Sequence, residues 1–171
     1  EGGIVSFVES LNKTHETVFE SVVYFDAQYV DSEIEVALQY NDSYNETIYA
    51  FANNINTEEG GTHLDGFKSA LAKVINDYGT KAGILKDSDK LSGEDVREGM
   101  VAVVSVKLVD AQFESQTKAK LGNSDVRTLV ESMLTDKLPE YFEENPASGK
   151  IIVEKYCKDF QFMQLKFYFI P

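Results

Sequence analysis

Residues 100–109, MVAVVSVKLV, are almost all β-branched or small, with Lys107 as the single charge. Apolar side chains at successive positions fit a strand whose two faces are both buried. A chain that owns such a strand has to organise itself around a sheet. Upstream, EIEVALQY (33–40) alternates. Ile34, Val36, Leu38 and Tyr40 share one face, and Glu33, Glu35 and Gln39 share the other, as in a strand with one wet face. FESVVYFD (19–26) and TIYAFANN (47–54) are two further strand candidates, with the polar turn NDSYNE (41–46) before the second. Short polar connections between three such runs predict an antiparallel meander.

Helical spacing fills the rest. In GIVSFVESLN (3–12), Ile4, Val5, Phe7, Val8 and Leu11 share a face. Gly60-Gly61 breaks the chain, and Thr62 then suits an N-cap, with Asp65 in a capping-box position. The helix that follows runs to about Lys81 and directs Phe67, Leu71, Val74, Ile75 and Tyr78 at the sheet. Ser92 is a second candidate cap, ahead of the short turn EDVREG. A helix over 124–142 stacks Leu129, Val130, Met133, Leu134, Leu138, Tyr141 and Phe142, and a last one runs over about 148–157 after Asn145-Pro146. The order predicts an α+β two-layer sandwich with a mixed four-stranded sheet and helices on one face. The 100–109 strand reaches its place by a crossover carrying the 63–81 helix. Residues 1–157 form the domain. The tail 158–171, KDFQFMQLKFYFIP, carries Phe160, Phe162, Phe167, Tyr168 and Phe169 with no helical stripe, and is expected to be a disordered end, or else an added strand or partner-binding segment.

Charge and cysteine content narrow the function classes. A net charge of −13 over 171 residues opposes autonomous binding to nucleic acid or anionic membranes, so any DNA contact needs a local basic cluster. The single cysteine, Cys157, excludes an internal disulfide, fits a reducing, cytoplasmic setting, and is expected to be an inert buried thiol. Nothing in these 171 residues resembles a signal peptide, and no apolar run reaches the ~20 residues of a membrane span. The chain opens EGGIV without Met and is expected to be cut from something longer.

Catalytic chemistry is hard to find in this sequence. There is no GxxxxGK[ST] loop to cradle a nucleotide and no nucleophile–base pair. His15, His63 and Cys157 lie too far apart in sequence for metal-ligand spacing, and no metal is expected. His63, at a helix start, could meet an anion, but a structural residue of the capping region is the stronger expectation. His15 is a loop histidine. Glu94, Asp95 and Glu98 beside Arg97 fit acids serving a helix dipole. In QTKAKLGNSDVR (116–127), Lys118 taken on spacing alone is a solvated surface lysine, as is Lys120.

Four runs taken together change that. EGGIVSFVESLN (1–12), ALQYNDSYNETIYAFANNINTEEGGTHLDGFKSAL (37–71), LSGEDVREGMVAVVSVK (91–107) and FESQTKAKLGNSDVR (113–127) resemble the B subunit of bacterial DNA gyrase and its relative in topoisomerase IV. The resemblance covers roughly residues 1–157 and corresponds to the transducer domain, whose fold is similar to domain 2 of ribosomal protein S5. It implies that the Gln116-Thr117-Lys118 loop enters the nucleotide pocket of an upstream ATPase domain. There Lys118 would contact the ATP γ-phosphate with Gln116 beside it. It implies ATP and Mg2+ bound mainly by that other domain, and as partners the ATPase domain, a DNA-cleaving gyrase A-type subunit and DNA. Lys68, Lys73 and Lys81 become candidates for facing DNA in a central cavity. The isolated piece is expected to be catalytically silent. The alternative is a non-catalytic binding module of S5-like fold.

Overall fold

The computed structural model describes residues 3–156. Its elements are α1 (Gly3–Leu11), β1 (Val23–Gln28), β2 (Ser32–Tyr40), β3 (Thr47–Ala52), β4 (Ile55–Asn56), α2 (Thr62–Lys81), α3 (Gly93–Arg97), β5 (Met100–Leu108) and α4 (Ser124–Glu144). A further helix, α5, covers residues 146–156, where the described residues end. The tail 158–171 and Cys157 lie outside the described residues.

The α+β class stands, and the sheet differs from expectation in count and order. Among the described residues it has five strands, in the order β1-β2-β5-β3-β4. β2 and β3 are therefore not neighbours, and the expected meander does not form. β5 runs between them, antiparallel to β2 (Val36↔Val104) and parallel to β3 (Ala50↔Val104). The parallel pair requires a crossover, and α2 supplies it. β4, only two residues long, is the strand that the sequence pattern does not separate from β3. Asn53 (φ 49) and Asn54 (φ 64) form a two-residue turn in the left-handed region, which returns the chain onto β3. The Asn53 side chain also stands in for a strand neighbour: its Oδ1 accepts from Leu108 N–H at 2.7 Å and its Nδ2 donates to Leu108 C=O at 3.1 Å.

Helices cover both faces of the sheet, not one. On the first face, Ile34, Val36, Leu38, Tyr40, Met100, Ala102, Val104 and Val106 meet Phe67, Leu71 and Ile75 of α2, Val130, Leu134 and Phe142 of α4, and Ile152 and Val153 of α5. On the second, Ala37, Val101 and Val103 lie under Val8 of α1, flanked by Phe7, Tyr49 and Phe51. Phe7 packs edge-on to Tyr49 with ring centroids 5.1 Å apart. β5 is thus buried on both faces, as its composition demands. β2's second face is only partly wet: Gln39 is 3% exposed. Its amide donates to Phe19 and Glu20 carbonyls at 3.1 Å and accepts from Asn12 Nδ2 at 2.9 Å, so the buried amide is fully used.

Local signals were right at some helix ends and wrong at others. Ser92 caps α3 with a full capping box: Ser92 Oγ accepts from Asp95 N–H, and Asp95 Oδ2 accepts from Ser92 N–H. Thr62 is not an N-cap. Gly61 holds that position with φ 138, Thr62 is the first helical residue, and Asp65 makes no box. Its place in the first turn still complements the helix dipole. Pro139 sits inside α4, which runs on to Glu144 because its buried face outweighs one missing backbone bond.

Candidate functional site

The segment between β5 and α4 is a closed hairpin, not an open loop. Asn123 fastens its neck: Oδ1 accepts from Gln112 N–H at 2.7 Å, and Nδ2 donates to Asp110 C=O at 2.9 Å. Gly122 N–H donates to Gln112 C=O at 2.7 Å and Glu114 N–H to Lys120 C=O at 3.0 Å, so residues 112–114 and 120–122 pair as two limbs. At the tip, Lys118 N–H donates to Ser115 C=O at 3.1 Å, and the Ser115 and Thr117 hydroxyls are 2.6 Å apart. Lys118 takes φ 54, which closes the turn.

The tip residues Gln116, Thr117 and Lys118 are all exposed. Phe113 is half-buried against the core, and the Lys118 ammonium lies 5.9 Å from its ring centroid, within reach of a cation–π contact. Among the described residues Lys118 has no carboxylate partner, whereas Lys120 pairs with Glu114 at 3.4 Å. The hairpin therefore presents a primary ammonium, a carboxamide and a hydroxyl, in consecutive residues, on a backbone whose turns are hydrogen-bonded. That set can donate to an anion with several oxygens. None of these three side chains is a carboxylate or an imidazole that could act as a general base.

The outer limb is also bonded to the approach to α2. Glu59 N–H donates to Ala119 C=O at 2.9 Å, Leu121 N–H to Gly60 C=O at 3.1 Å, and Thr62 N–H to Leu121 C=O at 3.1 Å. No residue pattern announces this contact, because 60 and 121 are far apart in the chain and neither stretch has strand composition.

His63 lies just inside α2 and is fully buried. Its Nε2 is 3.1 Å from Thr57 Oγ1, and that hydroxyl donates to Ala50 C=O at 2.9 Å. This is a structural role, in line with the stronger expectation. Burial lowers its pKa from 6.5 to about 4, with Asp65 opposing the shift, so the ring is neutral near pH 7. The depressed folded-state value means that the unfolded chain takes up the proton first on acidification. Stability from this site is fully present above pH 6.5 and is lost as pH falls toward 4. The unfolding free energy from urea titrations is expected to drop between pH 7 and pH 5 by on the order of 1–2 kcal/mol, and His63→Gln is expected to flatten that slope. An equal slope in the variant would place the titration elsewhere.

The other candidates separate. Lys68 Nζ is 3.8 Å from Glu46, which Arg97 also contacts at 3.1 Å. Lys73 and Lys81 border a groove of about 350 Å³ between α2 and α4, with Tyr78, Thr135, Pro139 and Glu143. Lys81 is 3.9 Å from Glu143, both well exposed, a separation that contributes little. Asp95 is used by the α3 cap, and the Glu98 carbonyl accepts from Lys155 and Tyr156. His15 lies 3.8 Å from Asp42 at the surface. Among the described residues no three His, Cys, Asp or Glu side chains gather as metal ligands, and no helix is long and apolar enough to cross a membrane.

Comparison with known proteins shows the family. The DNA gyrase B family pattern matches residues 3–163. The DNA gyrase B protein of Clostridium acetobutylicum is 57% identical over 158 residues, covering 91% of this chain and 25% of that protein. Its counterpart from Bacillus mycoides is 53% identical, covering 91% and 39%. The chain thus spans well under half the length of these relatives. Among solved structures, the 43K ATPase domain of Thermus thermophilus gyrase B, in complex with an aminocoumarin, superimposes with a TM-score of 0.88 at 36% identity, over 96% of this chain and 44% of that one. The topoisomerase IV ATP-binding domain of Francisella tularensis gives 0.77 at 26% identity, over 92% and 42%. With the family pattern running through the hairpin and all five strands, the chain belongs to the DNA gyrase B family.

Proposed function

We propose that this chain is the transducer segment of the ATPase subunit of a bacterial, gyrase-like type II topoisomerase, and that its 112–122 hairpin completes a nucleotide site built mainly by an upstream ATPase domain. The observation that carries the proposal is the hairpin tip: Lys118, Thr117 and Gln116 stand exposed on a hydrogen-bonded turn, in a chain that overlays part of a gyrase ATPase domain. ATP with Mg2+ is the fitting ligand. A lysine ammonium is a compact charge suited to a terminal phosphate, and it can offset charge that grows on the γ-phosphoryl oxygens during transfer. Gln116 and Thr117 would orient the same oxygens. Contact is lost when the γ-phosphate leaves, so the nucleotide favours one domain arrangement over another by the energy of that contact.

The remaining partners would be a DNA-cleaving gyrase A-type subunit and DNA itself. Lys73 and Lys81, exposed along α2, are the better placed of the DNA-facing candidates, since Lys68 already shares Glu46 with Arg97. The test is steady-state ATP hydrolysis by an upstream ATPase domain alone and by the same domain joined to this chain. The joined protein is expected to hydrolyse ATP at least tenfold faster, and this chain alone not at all. Equal rates with and without the chain would favour a binding module of the same fold.

A further inference from the structure

We infer that the segment Glu59–Thr62 is the seat of the nucleotide-contacting hairpin, and that Gly61 is a positioning residue for Lys118. This rests on the proposed function and extends it to residues outside the hairpin. Three backbone hydrogen bonds join the seat to Ala119 and Leu121, immediately beyond Lys118 in the chain. Gly61 makes their closeness possible. It has φ 138, and a Cβ there would come within 2.5 Å of Leu121 C=O and 2.6 Å of Leu121 N. Leu121 is fully buried and bridges both Gly61 and Phe113, so it cannot yield sideways.

The seat is itself braced. Gly60 N–H donates to Thr57 C=O at 2.9 Å, Thr57 N–H and Oγ1 both donate to Ala50 C=O at 2.9 Å, and His63 holds Thr57 Oγ1 from within α2. A hydrogen-bonded route therefore runs from β3 through Thr57 and Gly60 to the outer limb of the hairpin. The outer limb that carries the tip can then neither slide nor tilt without breaking bonds at the start of α2. A side chain at 61 would push the limb outward by roughly an ångström, and a displacement of that size at a reacting group costs up to about 10²-fold in rate.

The test uses the full subunit, ATPase domain included, with Gly61→Ala, Lys118→Ala and the double variant. Two quantities are measured: kcat for ATP hydrolysis, and the ratio of Kd for ADP to Kd for a non-hydrolysable ATP analogue. Partial unfolding lowers kcat but does not alter that ratio in the molecules that remain folded. Gly61→Ala is expected to lower kcat at least tenfold, to move the ratio toward that of Lys118→Ala, and to add nothing to Lys118→Ala in the double variant. A folded Gly61→Ala protein with the wild-type ratio, or effects that multiply in the double variant, would overturn the inference and leave the role of Lys118 standing. A wild-type ratio in Lys118→Ala would remove the nucleotide contact itself and the inference with it. Should Gly61→Ala not fold, amide exchange in the wild-type subunit decides. The Glu59, Leu121 and Thr62 amides are expected to slow with the ATP analogue and not with ADP; identical exchange in the two states sinks the inference.

Discussion

Replacing Lys118 by alanine in the subunit that contains the ATPase domain is expected to lower kcat for ATP hydrolysis by about 10²-fold, the usual loss when one donor to a developing charge is removed. The backbone makes this substitution unusually clean. Lys118 already adopts φ 54 with a Cβ in place, and alanine carries the same Cβ, so the turn keeps its conformation and its bond to Ser115 C=O. What disappears is the ammonium and its stem over Phe113. The Tm of the variant should therefore match the wild type. Arginine at 118 keeps the charge and lengthens the reach, but its planar fork does not reproduce a point charge, so recovery should be partial. Wild-type hydrolysis by Lys118→Ala would show that the exposed tip has another use.

Gly99→Ala is expected to lower stability by about 3 kcal/mol, and Tm by about 10 °C for a domain of this size. Gly99 has φ 69, so any side chain there is strained, at about 1–2 kcal/mol. An added Cβ would also meet Lys155 Nζ, Ser43 C=O at 2.5 Å and Asn41 C=O at 2.7 Å. Those two carbonyls, with Glu98 C=O, receive the Lys155 ammonium at 2.8–3.4 Å, while the Tyr40 and Tyr156 rings stand beside it at 6.0 and 5.8 Å. One residue thus holds open the place where α5 is tied to the β2–β3 connection and to the entry of β5. Thermal melts of Gly99→Ala and of Gly99→Ala with Lys155→Ala would separate the backbone strain from the displaced ammonium. A Tm within about a degree of wild type would mean that the junction yields freely.

Periodicity told which face of an element is apolar, and for α2, β2, β5 and α4 that was enough to find them. It could not tell who stands next to whom. The alternation of β2 and the apolar run of β3 are equally satisfied by direct pairing and by pairing to an intruder, and β5 is the intruder. A strand buried on both faces already conflicted with helices on one face only. α1, with its Ile4, Val5, Phe7, Val8 and Leu11 stripe, resolves the conflict by covering the second side. Thr62 misled because the glycine before it has a conformation that serves Leu121 rather than the helix. At the candidate site, exposure of residues 116–118 agreed with a polar sequence. The bracing by Glu59–Thr62 was invisible because backbone hydrogen bonds leave no trace in side-chain type. Lys68, Lys73 and Lys81 share a helix in sequence and divide in space, one toward Glu46 and two toward the groove.

The placement of β5 between β2 and β3 also sets the order in which this protein can mature on the ribosome. Until residue 108 has emerged, β1–β2 and β3–β4 are two separate hairpins, each with an unpaired inner edge. Synthesis runs at about 5–20 residues per second, so the nascent chain spends seconds with those edges open to other strands. A chain released before β5 would have no centre to its sheet and would be a substrate for chaperones or proteases rather than a smaller folded domain.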